Sequence, residues 1–303
     1  MDASDLRFFE QVARTGGMSR AADKLHTVQS NVTTRIRGLE RELGVSLFTR
    51  TARGVALTPA GERLLPFAAR IGQLLDDAVR AAQDDGVPQG KLVIGSLETT
   101  AALRLTPFLS QFVEAFPGVD LTLRTGTSGE LIEDVLEHRV EGAFVCGPVD
   151  HPDLVQRTIY SEQLAILTAR RFPSLSDYLK RNDPRIVVLK AGCSYRLMLE
   201  GWLARQGIVG VRVLEFGTLE AIIGCVEAGL GMTLLPEALT GTLWQRGRVF
   251  VHPLPPAEGA VDTLFVRRRD AYQSSALKAF LTLTTQHHRS APSASPSFAL
   301  EVK

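Results

Sequence analysis

Residues 18–44 read MSRAADKLHTVQSNVTTRIRGLERELG. Gln29, Ser30, Asn31, Thr33 and Thr34 gather where a new helix should begin. A packed core has little use for so many short polar side chains on one turn, whereas a surface that meets a polar partner does. Within the same segment Val32, Ile36, Leu39 and Leu43 recur at spacings of four, three and four, the mark of a helix with one apolar stripe. Ser30, Thr33, Thr34, Arg37 and Arg41 lie opposite that stripe, with Gln29 at the N-terminal end. Upstream, Ser19 is the expected cap of a shorter helix whose Ala21, Ala22 and Leu25 face inward, and His26-Thr27 forms the turn. Two helices joined by a tight turn, the second with a polar face, are the geometry of helix-turn-helix recognition. Glutamine can bond an adenine bidentately, Ser and Thr can contact several bases, and the first amides of the helix can hold a phosphate.

Working outward, Ser4 is positioned to cap a first helix carrying Leu6, Phe9, Val12 and Ala13, ended by Gly16-Gly17. Downstream, VSLFTRTARGVALTPAG reads as two short strands around Arg53-Gly54, a β-hairpin wing. Thr58-Pro59 is a strong helix start. From there to about Asp85, Leu64, Ala68, Ile71, Leu75, Ala78 and Ala82 form a heptad seam. A helix of that length, roughly 38 Å, with a one-sided stripe calls for a partner, and the same helix of a second chain is expected to supply it. Over residues 1–58, nine Arg or Lys oppose six acids, so the basic surplus is local while the whole chain carries only +1.

The chain of 303 residues is 45% hydrophobic and 22% charged, enough for two or three packed domains. MDASDLRFFE shows no signal-peptide pattern, and no run of about 18 apolar residues appears. Three scattered cysteines make no disulfide framework, so a cytoplasmic, reducing setting is expected. After DDGVPQGK the texture changes to strands alternating with helices at about 102–116, 129–139, 194–206, 218–229 and 273–288. That alternation predicts largely parallel α/β sheets, and its length predicts two lobes. SLETTAA, RTGTSGEL, KAGCSYRL and FGTLEAI each place small polar residues between a strand and a helix, where α/β folds bind ligands. The candidate effector residues are Glu98, Thr99, Thr100, Gly126, Thr127, Ser128, Cys146, Cys193, Ser194, Tyr195, Arg196, Gly217 and Thr218. Arg196 is the expected countercharge for a small anionic molecule such as a carboxylate. No G-x-S-x-G, H-E-x-x-H or C-x-x-C occurs, so no catalytic residue, metal or cofactor is expected.

The segment from Phe8 to Leu65 resembles the N-terminal region of the LysR-type transcriptional regulators. It carries S-x-A-A-x-x-L, Q-x-x-V-[ST]-x-x-I, L-E-x-x-L-G, L-F-x-R and L-T-x-A-G in order and correctly spaced. The resemblance runs to about residue 285. It implies DNA contacts at Gln29, Ser30 and Thr33, and Arg53 of the wing in the minor groove. Val28 departs from the usual Ser or Thr cap, leaving Thr27 as a substitute cap. Thr34 replaces a frequent Arg, leaving Arg35 for a phosphate. The implied layout is a winged helix-turn-helix at 1–58, a linker helix at 59–85 and a hinge at 86–90. A two-lobed α/β effector domain like periplasmic solute-binding proteins follows at 91–289, and a disordered tail at 290–303. Lobe 1 takes about 91–161 and 266–289, lobe 2 about 162–265. The implied protein is a homodimer, assembling further to a homotetramer, on a pseudo-palindromic DNA site with RNA polymerase contact. Two other readings stand beside it: a redox-responsive regulator using Cys193, and a small-molecule-binding or enzymatic α/β module whose N-terminal helices serve oligomerisation.

Overall fold

The computed structural model describes residues 1–51, 54–172, 174–180, 183–239 and 248–290. It contains two compact units, Met1–Asp85 and Gly86–Lys303. The tail expected to be disordered lies outside the described residues beyond Ser290, which closes the last helix.

In the first unit, α1 (Ala3–Thr15), α2 (Met18–Lys24) and α3 (Gln29–Leu43) precede the hairpin β1 (Phe48–Thr51) and β2 (Gly54–Leu57) and the long α4 (Pro59–Gln83). Leu6, Phe9, Val12, Ala21, Ala22, Val32, Ile36, Leu39, Leu47 and Ala68 make its core. The repeated sequence signatures have physical reasons here. Leu39 is buried, while the Glu40 carboxylate accepts from the backbone amides of Leu47 (2.7 Å) and Phe48 (3.3 Å), tying α3 to the wing. Gly44 ends α3 at a φ of 68°, in the left-handed region where glycine costs least. The Thr58 hydroxyl accepts from Gly61 N and donates to Ser46 O at 2.7 Å. A Cβ on Gly61 would stand 2.3 Å from Leu47 O, so only glycine lets α4 cross the wing there.

Two caps differ from expectation. Asp2, not Ser4, caps α1, because Asp2 and Asp5 form a reciprocal capping box. Gly17 precedes α2 with no side-chain bond, which frees Ser19 for another role.

The second unit begins with β3 (Gly90–Ser96), then α5 (Glu98–Thr100), which runs through a π turn (Ala101–Leu105) into α6 (Thr106–Ala115). Next come β4 (Val119–Thr125), α7 (Ser128–Leu136), β5 (Gly142–Cys146) and β6 (Leu154–Ala169). They are followed by α8 (Leu175–Leu179), β7 (Arg185–Leu189), α9 (Ser194–Arg205), β8 (Arg212–Phe216), α10 (Leu219–Glu227) and β9 (Thr233–Pro236). Last are β10 (Val249–Pro253), α11 (Pro256–Gly259), β11 (Ala260–Arg268) and α12 (Ser275–Ser290).

The sheets are mixed, not largely parallel. β3 pairs with β4 and β5 in parallel, and β7 with β8, as strand-helix alternation predicts. The long strands β6 and β11 pair antiparallel with each other, and β6 continues antiparallel onto β9 and β10. β6 is one unbroken strand of 16 residues, LVQRTIYSEQLAILTA, although the sequence alone reads it as two strands, LVQRTIY and QLAILTAR, the second running one residue past its end. Its first part pairs with β11 from Leu154 to Gln163, and its last part with β9 and β10 from Leu164 to Ala169. This strand is the outward crossing between the lobes. β11 rejoins the first ladder from Ala260, which pairs with Gln163. Phe108, Phe112, Phe144 and Phe280 pack the core of lobe 1, while Val187, Leu219, Ile222 and Val226 pack a core in lobe 2.

Candidate functional site

Within the first unit, the face of α3 expected to meet DNA is open. Gln29, Ser30, Thr34 and Arg37 are exposed and Thr33 half-buried, while Val32, Ile36 and Leu39 are buried behind them. The Gln29 amide is oriented: its Oε1 accepts from Ser19 Oγ at 2.9 Å, so α2 aims the side chain of α3. This gives the first signature serine its purpose. The Thr33 hydroxyl donates to Gln29 O at 2.9 Å.

Thr27 does not cap α3. Val28 holds that position without a side-chain bond, and the Thr27 hydroxyl instead accepts from Asn31 Nδ2 at 3.0 Å. Asn31 N donates to Val28 O at 3.0 Å, and with no side-chain cap the amides of Gln29 and Ser30 are left to meet a phosphate. Arg35 is engaged within the unit. Its guanidinium donates to Asp5 Oδ1 at 2.8 Å and lies 5.0 Å from the centre of the Phe8 ring, so it holds α3 to α1. Arg53 lies outside the described residues.

The heptad seam of α4 divides into two parts. Leu64, Ala68 and Ile71 pack into the unit's own core, whereas Leu75 and Ala78 are exposed, together with Phe67, Leu74 and Val79. Phe67 is 66% exposed, an unusual position for a phenylalanine.

In the second unit, a cavity of about 130 Å³ gathers residues from five separate segments of the chain. Of the candidates, Glu98, Thr99, Gly126, Thr127, Cys146, Cys193, Ser194, Tyr195 and Gly217 line it. Thr100, Ser128, Arg196 and Thr218 are not among its lining residues, and Leu97, Thr125, Leu189 and Lys190 are lining residues that sequence reasoning missed. Ser128 nonetheless organises the cavity wall. Its hydroxyl accepts from Cys146 N at 3.1 Å and from Ser194 Oγ at 3.0 Å, joining α7 to β5 and α9. Thr218 caps α10 through Ala221 N. Thr100 is buried in the helix that starts at Glu98, earlier than the expected 102.

The expected countercharge, Arg196, is engaged away from the cavity lining. Arg196 is held by Glu200 (3.0 Å) and Glu215 (2.7 Å). Among the described lining residues Lys190, which directly follows β7, is the cation, and its Nζ lies 2.7 Å from Glu130 Oε1. Glu130 also closes a capping box with Thr127, accepting on Oε2 from Thr127 N (2.9 Å) and Oγ1 (3.0 Å). The Lys190 bond, and then the Thr127 amide, hold the Glu130 carboxyl down at about 2.

Opposite effects act on the thiols. Burial pushes Cys146 up to about 11 and also raises Cys193, the latter offset in part by the amides of Arg196 and Tyr195. Reactive thiols are depressed and partly exposed, so these two act as apolar lining, and the redox reading finds no support in them. Burial likewise raises the Tyr195 phenol, which bonds Thr99.

Comparison with known proteins accords with this division. Residues 3–62 match the family model of the bacterial regulatory helix-turn-helix protein, lysR family, and residues 85–289 match the LysR substrate binding domain. The HTH-type transcriptional regulator YofA of Bacillus velezensis is 43% identical, covering 93% of this chain and 96% of that protein. GltR of Bacillus subtilis, also an HTH-type transcriptional regulator, is 39% identical, covering 95% of this chain and 97% of its own length. Among solved structures, ArgP from Mycobacterium tuberculosis matches with a TM-score of 0.69 at 19% identity, covering 95% of this chain and 97% of that one. Full-length CbnR complexed with its target DNA matches at 0.60 with 24% identity, covering 95% and 100%. These structural likenesses speak to the fold.

Proposed function

The chain belongs to the LysR family of bacterial helix-turn-helix transcriptional regulators, and on that premise we propose how its own residues do the work. Gln29, Ser30, Thr33 and Thr34 read base edges in the major groove, with Arg37 on a phosphate and Arg53 on the wing reaching the minor groove. The observation that carries this is the oriented Gln29 side chain on an exposed polar face, backed by a buried stripe. The exposed half of the α4 seam favours pairing with the same helix of a second chain, which would set two recognition helices on a pseudo-palindromic site. Further assembly to a tetramer and contact with RNA polymerase belong to the same reading, as does a cytoplasmic, non-enzymatic role. Among the described residues no helix is long and apolar enough to cross a membrane.

The cavity between the lobes takes a small anionic effector, a carboxylate, with Lys190 as its countercharge and Thr99, Thr127, Ser194 and Tyr195 as its walls. Its occupation changes lobe closure and through it the affinity for the operator. A fluorescence-anisotropy titration on the DNA upstream of the chain's own gene tests the reading. Salt-sensitive, sequence-specific binding that a small carboxylate modulates is the expected result. Equal binding to scrambled DNA, or binding that no carboxylate alters, would overturn it.

A further inference from the structure

The cavity discriminates more finely than a simple anion site requires. Among its described lining residues, one cation and one carboxylate are present, Lys190 and Glu98. They come from opposite lobes, Lys190 from the end of β7 and Glu98 from the start of α5. The Glu98 carboxylate accepts from Leu219 N at 3.2 Å through Oε1, and a carboxylate has about four lone-pair sites in all. It therefore keeps acceptor capacity at the cavity wall. Lys190 bonds Glu130 at 2.7 Å, yet Glu130 is also satisfied by Thr127 N and Oγ1. Lys190 can turn to a ligand without stranding its partner, because its side chain is half exposed and carries three donors. Between the two charges the lining includes Leu97, Leu189 and the thiols of Cys146 and Cys193, kept neutral by burial.

We propose that the effector is a zwitterion, an α-amino acid or close ammonium carboxylate with an apolar side chain, whose carboxylate meets Lys190 and whose ammonium meets Glu98. This rests on the effector reading above and narrows it. A dicarboxylate would set its second charge against Glu98, and a plain monocarboxylate would leave the remaining acceptor sites of Glu98 unused. A neutral molecule would use neither charge.

The test is isothermal calorimetry on the full-length chain with the twenty protein amino acids and a matched set of carboxylates. The tightest-binding amino acid is then compared with its deaminated acid and its decarboxylated amine. Each half-molecule is expected to bind roughly tenfold or more weakly, the scale of one charge-assisted hydrogen bond. Glu98→Gln should collapse the preference for the amino acid over the deaminated acid, and Lys190→Met the preference over the amine. The series on the unaltered chain needs no variant to fold. Binding of the deaminated acid as tight as that of the amino acid would overturn the zwitterion while sparing the anionic-effector reading. No binding by any amino acid or carboxylate would overturn both.

Discussion

The two units solve the problem of building a site in opposite ways. The face proposed to read DNA lies on a single helix, within a few residues of chain, and its side chains are exposed apart from the half-buried Thr33. The cavity draws on residues from Leu97 to Gly217, and its Thr99, Thr127 and Tyr195 are buried. A local site needs only a rigid helix with a buried back, so its geometry follows from periodicity. A dispersed site exists only once two lobes have folded and two crossing strands have set their distance.

Several substitutions would break or sharpen that contrast. The largest effect is expected from Ile36→Ala, at a residue 1% exposed behind the recognition face. Removing such a buried side chain costs about 2–5 kcal/mol, and calorimetric melting should show the loss in the first unit with ligand binding by the second retained. Loss of both together would mean that the units do not fold independently.

Next in size is Gln29→Ala, expected to weaken specific DNA binding by about 1–3 kcal/mol while non-specific binding survives. Anisotropy with operator and scrambled DNA separates the two, and an unchanged ratio would remove Gln29 from base reading. Ser19→Ala should give a smaller loss of the same kind, because it frees the Gln29 amide without deleting it.

Ser128→Ala leaves the buried Cys146 amide without its acceptor, a cost of about 1–3 kcal/mol. Chemical denaturation should show that cost, and calorimetry a weakened ligand response with DNA affinity unchanged in the absence of ligand.

The smallest effect concerns acid. The Glu130 carboxyl is depressed in the folded chain, so its contribution is complete above its unfolded value of 4.5 and is lost as pH falls toward about 2. The stability gap between the wild type and Glu130→Gln should therefore narrow across that window. A gap that stays constant with pH would mean that the Lys190 pair does not persist in solution. The pair is half exposed, so the gap itself should be small.

The contrast also explains which residues the sequence made legible. Gln29, Thr33 and the Val32-Ile36-Leu39 stripe are visible as a 3.6-residue rhythm, because helix geometry links spacing directly to facing. Ser19 was legible only as a helix cap. Its bond to Gln29 crosses the turn between two helices, and no local pattern encodes that. Lys190 escaped notice because it ends a strand of ordinary composition, and Arg196 attracted notice because it sits beside Ser194 and Tyr195. Only the packed structure shows Arg196 captured by Glu200 and Glu215, with Lys190 left at the cavity.

The amino-acid sequence by itself determined the winged helix-turn-helix, the long helix with its heptad seam, and the strand-helix alternation of the remainder. Each is a short-range pattern with a short-range cause: a cap, a period, or a glycine where no side chain fits. The tertiary structure alone decided that two apparent strands are the single crossing strand β6, that antiparallel pairing joins the lobes, and which cation faces the cavity. Those features depend on contacts between residues far apart in the chain, such as Leu154 with Arg268 and Lys190 with Glu130, whose pairing no local spacing specifies.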